Sequence, residues 1–319
     1  MSSIGVAAIV SALVVLLAGH FLLPVLVRLH CGQSIRGEGP ESHQKKSGTP
    51  TMGGLMLLLA ILVGTIVADG WAPEVLLALF VTIGHGVIGF LDDYIKVVKK
   101  RNLGLRAREK LAGQIVMAVL VAFLGSRFLD LTTALWVPFV KAPVELGAFY
   151  YVLIFFVFVG TTNAVNLTDG LDGLATGTVA VAMGTYALVC LSLGKAALAA
   201  FCAATAAAAV AFLRFNAHPA RVFMGDTGSL ALGGALAAVA VLTKTELLLI
   251  LIGGVFVAEA LSVIIQVVSF QTTGRRVFRM SPLHHHFEMG GWPETKVVYV
   301  FWLAGAMCSL LALWIGKVG

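Results

Sequence analysis

An all-α, polytopic membrane protein of about ten transmembrane helices is the fold this sequence predicts, and three observations predict it. Of 319 residues, 59% are hydrophobic and only 12% are charged, with a mean hydropathy of +0.96; soluble chains carry about 25% charged residues. Apolar runs recur at about 20 residues, the length that crosses a hydrocarbon layer of about 30 Å. The lysines and arginines fall almost entirely into alternate loops, as orientation in a membrane requires. Backbone inside lipid must satisfy its own hydrogen bonds, so the runs are read as helices. No linker or low-complexity segment divides the chain, and residues 1–319 are read as one integral membrane domain.

The first run, 4–28, has no basic segment before it and stays apolar to Val27, which predicts a spanning helix, not a cleaved signal. Runs at 53–68 and 75–92 follow, the second ending on Asp92-Asp93. The next, 111–129, starts after the densest basic loop. Run 149–166 ends among Asn163 and Asn166, and 173–193 starts just after Asp169-Gly170 and Asp172-Gly173. Run 196–214 is rich in alanine, and small residues let membrane helices pack closely. Runs 228–243, 247–269 and 297–316 complete the set, with Glu259 as the main acid inside a run. Cys31, Cys190, Cys202 and Cys308 show no metal or redox spacing and read as small buried residues.

The loops after runs 1, 3, 5, 7 and 9 carry nearly all the basic residues, leaving Arg127, Lys141, Lys195, Lys244 and Lys317 for the other side. The positive-inside rule assigns the first group to the cytoplasm, so both termini are expected to be extracytoplasmic. A net charge of +6 then reports orientation and contact with anionic lipid, not nucleic-acid binding. Most lysines and arginines of the third loop are assigned to that role.

Every unusual polar cluster falls on the basic side. Asp92 and Asp93 stand at the water edge of a helix, where carboxylates are costly and usually functional. With Asp226, in the glycine-rich Met224–Ser229 segment, they are hard-oxygen donors suited to Mg²⁺ and phosphate. All three are candidate metal ligands. Capping of the next helix would account for only one acid. Asn163, Asn166, Asp169 and Asp172 recur at intervals of three, which makes a polar ridge on a helix able to read a base or sugar; Asp-Gly pairs also suit turns. Lys45, in a segment rich in Gly and Thr, is a candidate phosphate contact. His284, His285 and His286 are consecutive and internal. Neighbours on any regular element point apart, so contact with phosphate is favoured over a zinc site.

Taken in order, Ser42–Gly54, Asp92-Asp93, Asn163–Gly173, Met224–Ser229 and Pro282–Glu288 resemble the motifs of the phospho-N-acetylmuramoyl-pentapeptide transferase family. The Pro-Leu-His-His-His-Phe-Glu segment separates that family from other polyprenyl-phosphate sugar-1-phosphate transferases. The resemblance runs from about residue 28 to the last helix. It implies transfer of phospho-MurNAc-pentapeptide from UDP-MurNAc-pentapeptide to undecaprenyl phosphate, giving lipid I and UMP. It also implies Mg²⁺, a homodimer, and a location in the bacterial inner membrane with the site facing the cytoplasm. By the same resemblance Asp226 ligates Mg²⁺, and Asp92 or Asp93 deprotonates or positions the lipid phosphate. Asn166, Asp169, Asp172 and Phe223 line a uridine pocket beside Asn163 and Gly225, with Phe223 offering a face to uracil. Lys45 and the histidines address phosphates or sugar. A GlcNAc-1-phosphate transferase would share the acids. A secondary transporter would need ionisable groups near the membrane midplane, where Glu259 stands almost alone.

Overall fold

The computed structural model describes residues 2–28, 46, 48–68, 70–98, 104–140 and 142–318. Among these, nine helices are long and apolar enough to cross a membrane. They are α1 (Ser3–Arg28), α3 (Pro73–Val98), α4 (Ala107–Phe128), α5 (Phe149–Thr168), α6 (Leu174–Ser192), α7 (Ala196–Asn216), α8 (Gly225–Leu242), α10 (Gly254–Thr273) and α12 (Glu294–Val318). Three are short: α2 (Gly54–Val67), α9 (Glu246–Ile252) and α11 (Leu283–Glu288). A two-residue hairpin of β1 (Ala134–Leu135) and β2 (Val144–Glu145) lies between α4 and α5, pairing Ala134 with Glu145.

The helices follow the apolar runs, with two corrections. The run at 247–269 is not one helix; it breaks at Gly253 into α9 and α10. The run at 75–92 does not end at the acids, because α3 continues to Val98. Asp92 and Asp93 therefore sit inside a helix, less than two turns before its end.

Helix α8 is the axis of the bundle. Every residue from Thr227 to Leu242 is buried, and α8 packs against α3 and α5. Its sequence is almost wholly Gly, Ala, Val and Leu, so neighbouring backbones approach closely. At Gly54 an added Cβ would lie 2.2 Å from the backbone nitrogen of Gly228; only glycine permits that crossing of α2 and α8. Around this axis α1 packs on α7 and α2, α6 on α7, and α12 on α6. The lipid-facing sides of α1, α10 and α12 carry exposed Leu, Ile, Val and Phe, as a helix needs against hydrocarbon.

Candidate active site

The C-terminal ends of α3 and α5 and the N-terminal ends of α4 and α8 converge at one end of the bundle. Asp92, Asp93 and Asp226 meet there, with carboxylate oxygens within 4.8 Å of one another. Asp92 is 1% and Asp93 2% exposed; acids this deep and this close need compensation.

The two adjacent aspartates are compensated differently. Asp93 accepts hydrogen bonds from the backbone N–H of Asp226 (3.1 Å), the N–H of Thr227 (2.9 Å) and the Thr227 hydroxyl (2.6 Å). It is the acid that satisfies the open N-terminus of α8, where free N–H groups and the helix dipole favour an anion. Asp92 is instead set among cations. It accepts from the Leu105 N–H at 2.8 Å and pairs with Lys96 at 2.5 Å and Lys110 at 3.4 Å. Asp226 shares both lysines, at 3.3 Å from Lys96 and 2.5 Å from Lys110. Its other oxygen accepts from the Asn166 amide at 3.1 Å, and Asn166 also donates to Ser229 at 2.8 Å.

Glycines let this cluster close. An added Cβ at Gly89 would lie 2.0 Å from the carbonyl oxygen of Asp226, and one at Gly104 2.6 Å from Asp92. Gly225, at φ +69°, turns the chain into α8 beside Asp93 and Thr51.

The expected polar ridge is only partly a helix ridge. Asn163 and Asn166 lie one turn apart on α5, but the helix ends at Thr168, and Asp169 and Asp172 belong to the turn before α6. The Asn163 amide donates to Gln114 at 3.0 Å, and Asn163 lines a cleft of about 540 Å³ with Leu105, Arg106, Lys110 and Gln114. Asp169 stands between two acidic groups. Burial first, then the charges of Asp226, Asp93 and Asp172, push its carboxyl up to about 8.

Asp172 anchors the second group. Its oxygens meet Lys46 (2.7 Å), His218 Nδ1 (3.1 Å) and the Ala220 N–H (3.0 Å). Glu294, at the start of α12, shares Lys46 at 2.5 Å and accepts the Asp172 N–H at 2.7 Å. Phe223 is half-buried nearby; its N–H donates to Pro50 and its carbonyl accepts from Gly53. Lys45 lies outside the described residues, and its neighbour Lys46 occupies this site.

The three histidines diverge. His284 is fully buried against Glu259, His285 Nδ1 lies 2.8 Å from Glu288, and His286 Nδ1 accepts the Arg279 N–H at 3.1 Å. Among the described residues they form no metal-sized group. Lys96, Lys110, Lys46, His218 and Glu294 are site residues the sequence did not single out; Glu259 reads in the sequence only as an acid inside a run, without its partner His284. The third-loop lysines near the acids are ion-pair partners, not purely orientation charges. Lys96 alone had a local signal, since it stands four residues after Asp92 on one helix face.

The Glycosyl transferase family 4 model matches residues 75–244, and phospho-N-acetylmuramoyl-pentapeptide-transferase signature 1 matches residues 46–58. Three curated proteins, each called phospho-N-acetylmuramoyl-pentapeptide-transferase, are similar throughout. That of a Geobacillus strain is 55% identical over 97% of this chain and 96% of its own length. The Bacillus subtilis protein is 54% identical over 95% and 94%, and the Geobacillus kaustophilus protein 56% over 98% and 98%.

Proposed function

The chain belongs to the phospho-N-acetylmuramoyl-pentapeptide-transferase family, and from that premise we propose the following reading of its site. The reaction moves phospho-MurNAc-pentapeptide from UDP-MurNAc-pentapeptide to undecaprenyl phosphate and releases UMP. One substrate is a soluble polyanion and the other a phosphate on a lipid, so the reacting atoms meet at a membrane edge. The positive-inside distribution supports the cytoplasmic edge, and the resemblance to bacterial enzymes supports the inner membrane.

The donor set fits a hard divalent cation. Three carboxylates lie within 4.8 Å, and two ammonium groups already stand against two of them. Asp226 and Asp92 would hold Mg²⁺, because their oxygens face exchangeable lysines; both oxygens of Asp93 are committed to α8. Bound there, Mg²⁺ would neutralise diphosphate charge and stabilise the departing UMP. Lys96 and Lys110, on long and partly exposed side chains, would meet phosphate oxygens. Asp92 then positions the lipid phosphate, which is largely deprotonated at neutral pH, with a second pKa near 6, so placement matters more than base strength. Asp93 keeps Asp226 aimed. Asn166 holds the other oxygen of Asp226. The turn at 169–173, with Phe223 and Lys46, receives the nucleotide.

The observation that carries this reading is the meeting of Asp92 and Asp226 with both lysines, one of which, Lys110, also lines the adjoining cleft. It is tested by UMP release from purified protein with undecaprenyl phosphate, given UDP-MurNAc-pentapeptide or UDP-GlcNAc, with Mg²⁺ or EDTA. Mg²⁺-dependent release from the muramyl substrate alone, lost in Asp226→Asn, is the expected result. Release from UDP-GlcNAc alone overturns the substrate. The resemblance also implies a homodimer, tested by the mass of the detergent-free particle.

A further inference from the structure

Glu259 has no part in the chemistry above, yet it is a fully buried acid in a membrane-spanning helix. Such acids are rare and functional. Its partner is also buried. His284 Nδ1 lies 3.0 Å from Glu259 Oε1, and the His284 backbone N–H faces both carboxylate oxygens at 3.3 and 3.4 Å. A carboxylate only accepts, so Nδ1 is the ring nitrogen that donates to Glu259. Nε2 is enclosed and has no hydrogen-bond partner among the described residues. It is aimed at Gly170, where an added Cβ would lie 2.2 Å from it. Gly170 lies in the turn that carries Asp169 and Asp172.

We propose that Glu259 is a positioning residue for the nucleotide site. It fixes the ring of His284 in one tautomer and one orientation, and the turn at 169–173 rests on that ring through Gly170. The carboxylate thus acts through the imidazole on a substrate it never touches. Outer carboxylates orient metal-ligating histidines in the same way. The pair also explains why a mid-helix acid is present in a chain that needs no ion pathway. The proposal rests on the reading of that turn as the nucleotide site.

The test combines Glu259→Gln, His284→Gln and the double variant, each checked for folding by its melting transition. Glu259→Gln keeps the shape and an acceptor, so it serves where Glu259→Ala fails to fold. Calorimetry of UMP binding and the split between KM and kcat are read together. Glu259→Gln is expected to weaken UMP binding and raise KM for the nucleotide sugar by about tenfold, the lower end of the loss when an orienting carboxylate is removed. The double variant should be no weaker than His284→Gln alone. Nitrogen-15 histidine spectra should show an unprotonated Nε2 on His284 in the wild type and a mixed tautomer in Glu259→Gln. Unchanged UMP affinity in Glu259→Gln, or strictly additive losses, overturns the proposal. A wild type that releases no UMP from the muramyl substrate overturns the functional reading instead, and leaves the tautomer result to stand on its own.

Discussion

Asp92 and Asp93 are neighbours in sequence with different work, and substituting each separates them. Asp93→Ala removes the acceptor of three hydrogen bonds, two from backbone N–H groups and one from the Thr227 hydroxyl. Thr227 is fully buried, so its two donors cannot turn to water. Each stranded donor costs about 1–3 kcal/mol, and the α8 N-terminus also loses its anion, worth about 0.3–1 kcal/mol or more where partly buried. The variant should therefore lose about 3–6 kcal/mol of stability. Asp93→Asn keeps one acceptor oxygen and should lose about half of that. Asp92→Asn should lose much less, because its main partners, Lys96 and Lys110, are 29% and 17% exposed at their side chains and can rehydrate. The assay is thermal unfolding in detergent followed by tryptophan fluorescence, with UMP release measured on the same samples. Asp93→Asn should also lose activity by about 10²-fold, the cost of an ångström-scale misplacement of Asp226. An Asp93→Asn protein as stable as wild type but wholly inactive would refute this reasoning, since it would make Asp93 a reacting group and not the support of Asp226.

Asp169 predicts a pH dependence. Its carboxyl titrates near 8 in the folded chain against about 3.9 when unfolded, so the native state holds the extra proton between those values. Cation-free stability should fall as pH rises from about 4 to 8 and level off above, and Asp169→Asn should flatten that slope in melting curves. A cation favours the ionised form, so Mn²⁺ affinity measured by spin resonance should rise with pH up to about 8 and do so less in Asp169→Asn. Lys110→Ala removes an ammonium 2.5 Å from Asp226 that competes for the cation; Mn²⁺ should bind up to about tenfold tighter, roughly 1.4 kcal/mol, and weaker binding would mean Lys110 does not compete. Gly89→Ala drives a methyl against the Asp226 carbonyl at 2.0 Å, whereas Gly160→Ala meets nothing within 4 Å. The first should abolish UMP release, and the second should leave both release and melting unchanged.

Much of the bundle was legible because hydrocarbon imposes one rule on every run, and the rule is local. Its failures were local too. The run at 247–269 carries the adjacent pair Gly253-Gly254, a local breaker that a reading by apolar length alone passes over, and α9 ends and α10 begins there. The acids of the site were legible because carboxylates at a membrane edge are conspicuous. Their cations were not. A lysine that orients a helix and a lysine that neutralises Asp226 look the same in a loop, and Lys110 stands 116 positions before its partner. Lys46 and Glu294 are 248 positions apart, and Glu259 reads as an isolated acid until α11 brings His284 onto it.

The placement of Asp226 explains why the site can be both buried and mobile in its charges. Asp226 opens α8, whose later residues to Leu242 are wholly buried, so its backbone is held by the most enclosed helix and by Asp93. The groups facing it are held far less tightly. Lys96 and Lys110 come from the last turn of α3 and the first turns of α4, and both are partly exposed. A rigid carboxylate with exchangeable counter-ions can pass its charge from ammonium to metal without rebuilding the fold, since only long flexible side chains must move. A site with the opposite arrangement, fixed cations and a mobile acid, would lose its aim at each exchange. That asymmetry is why substitutions beneath Asp226, at Asp93 and Gly89, should cost stability or aim, while those above it, at Lys96 and Lys110, should cost charge alone.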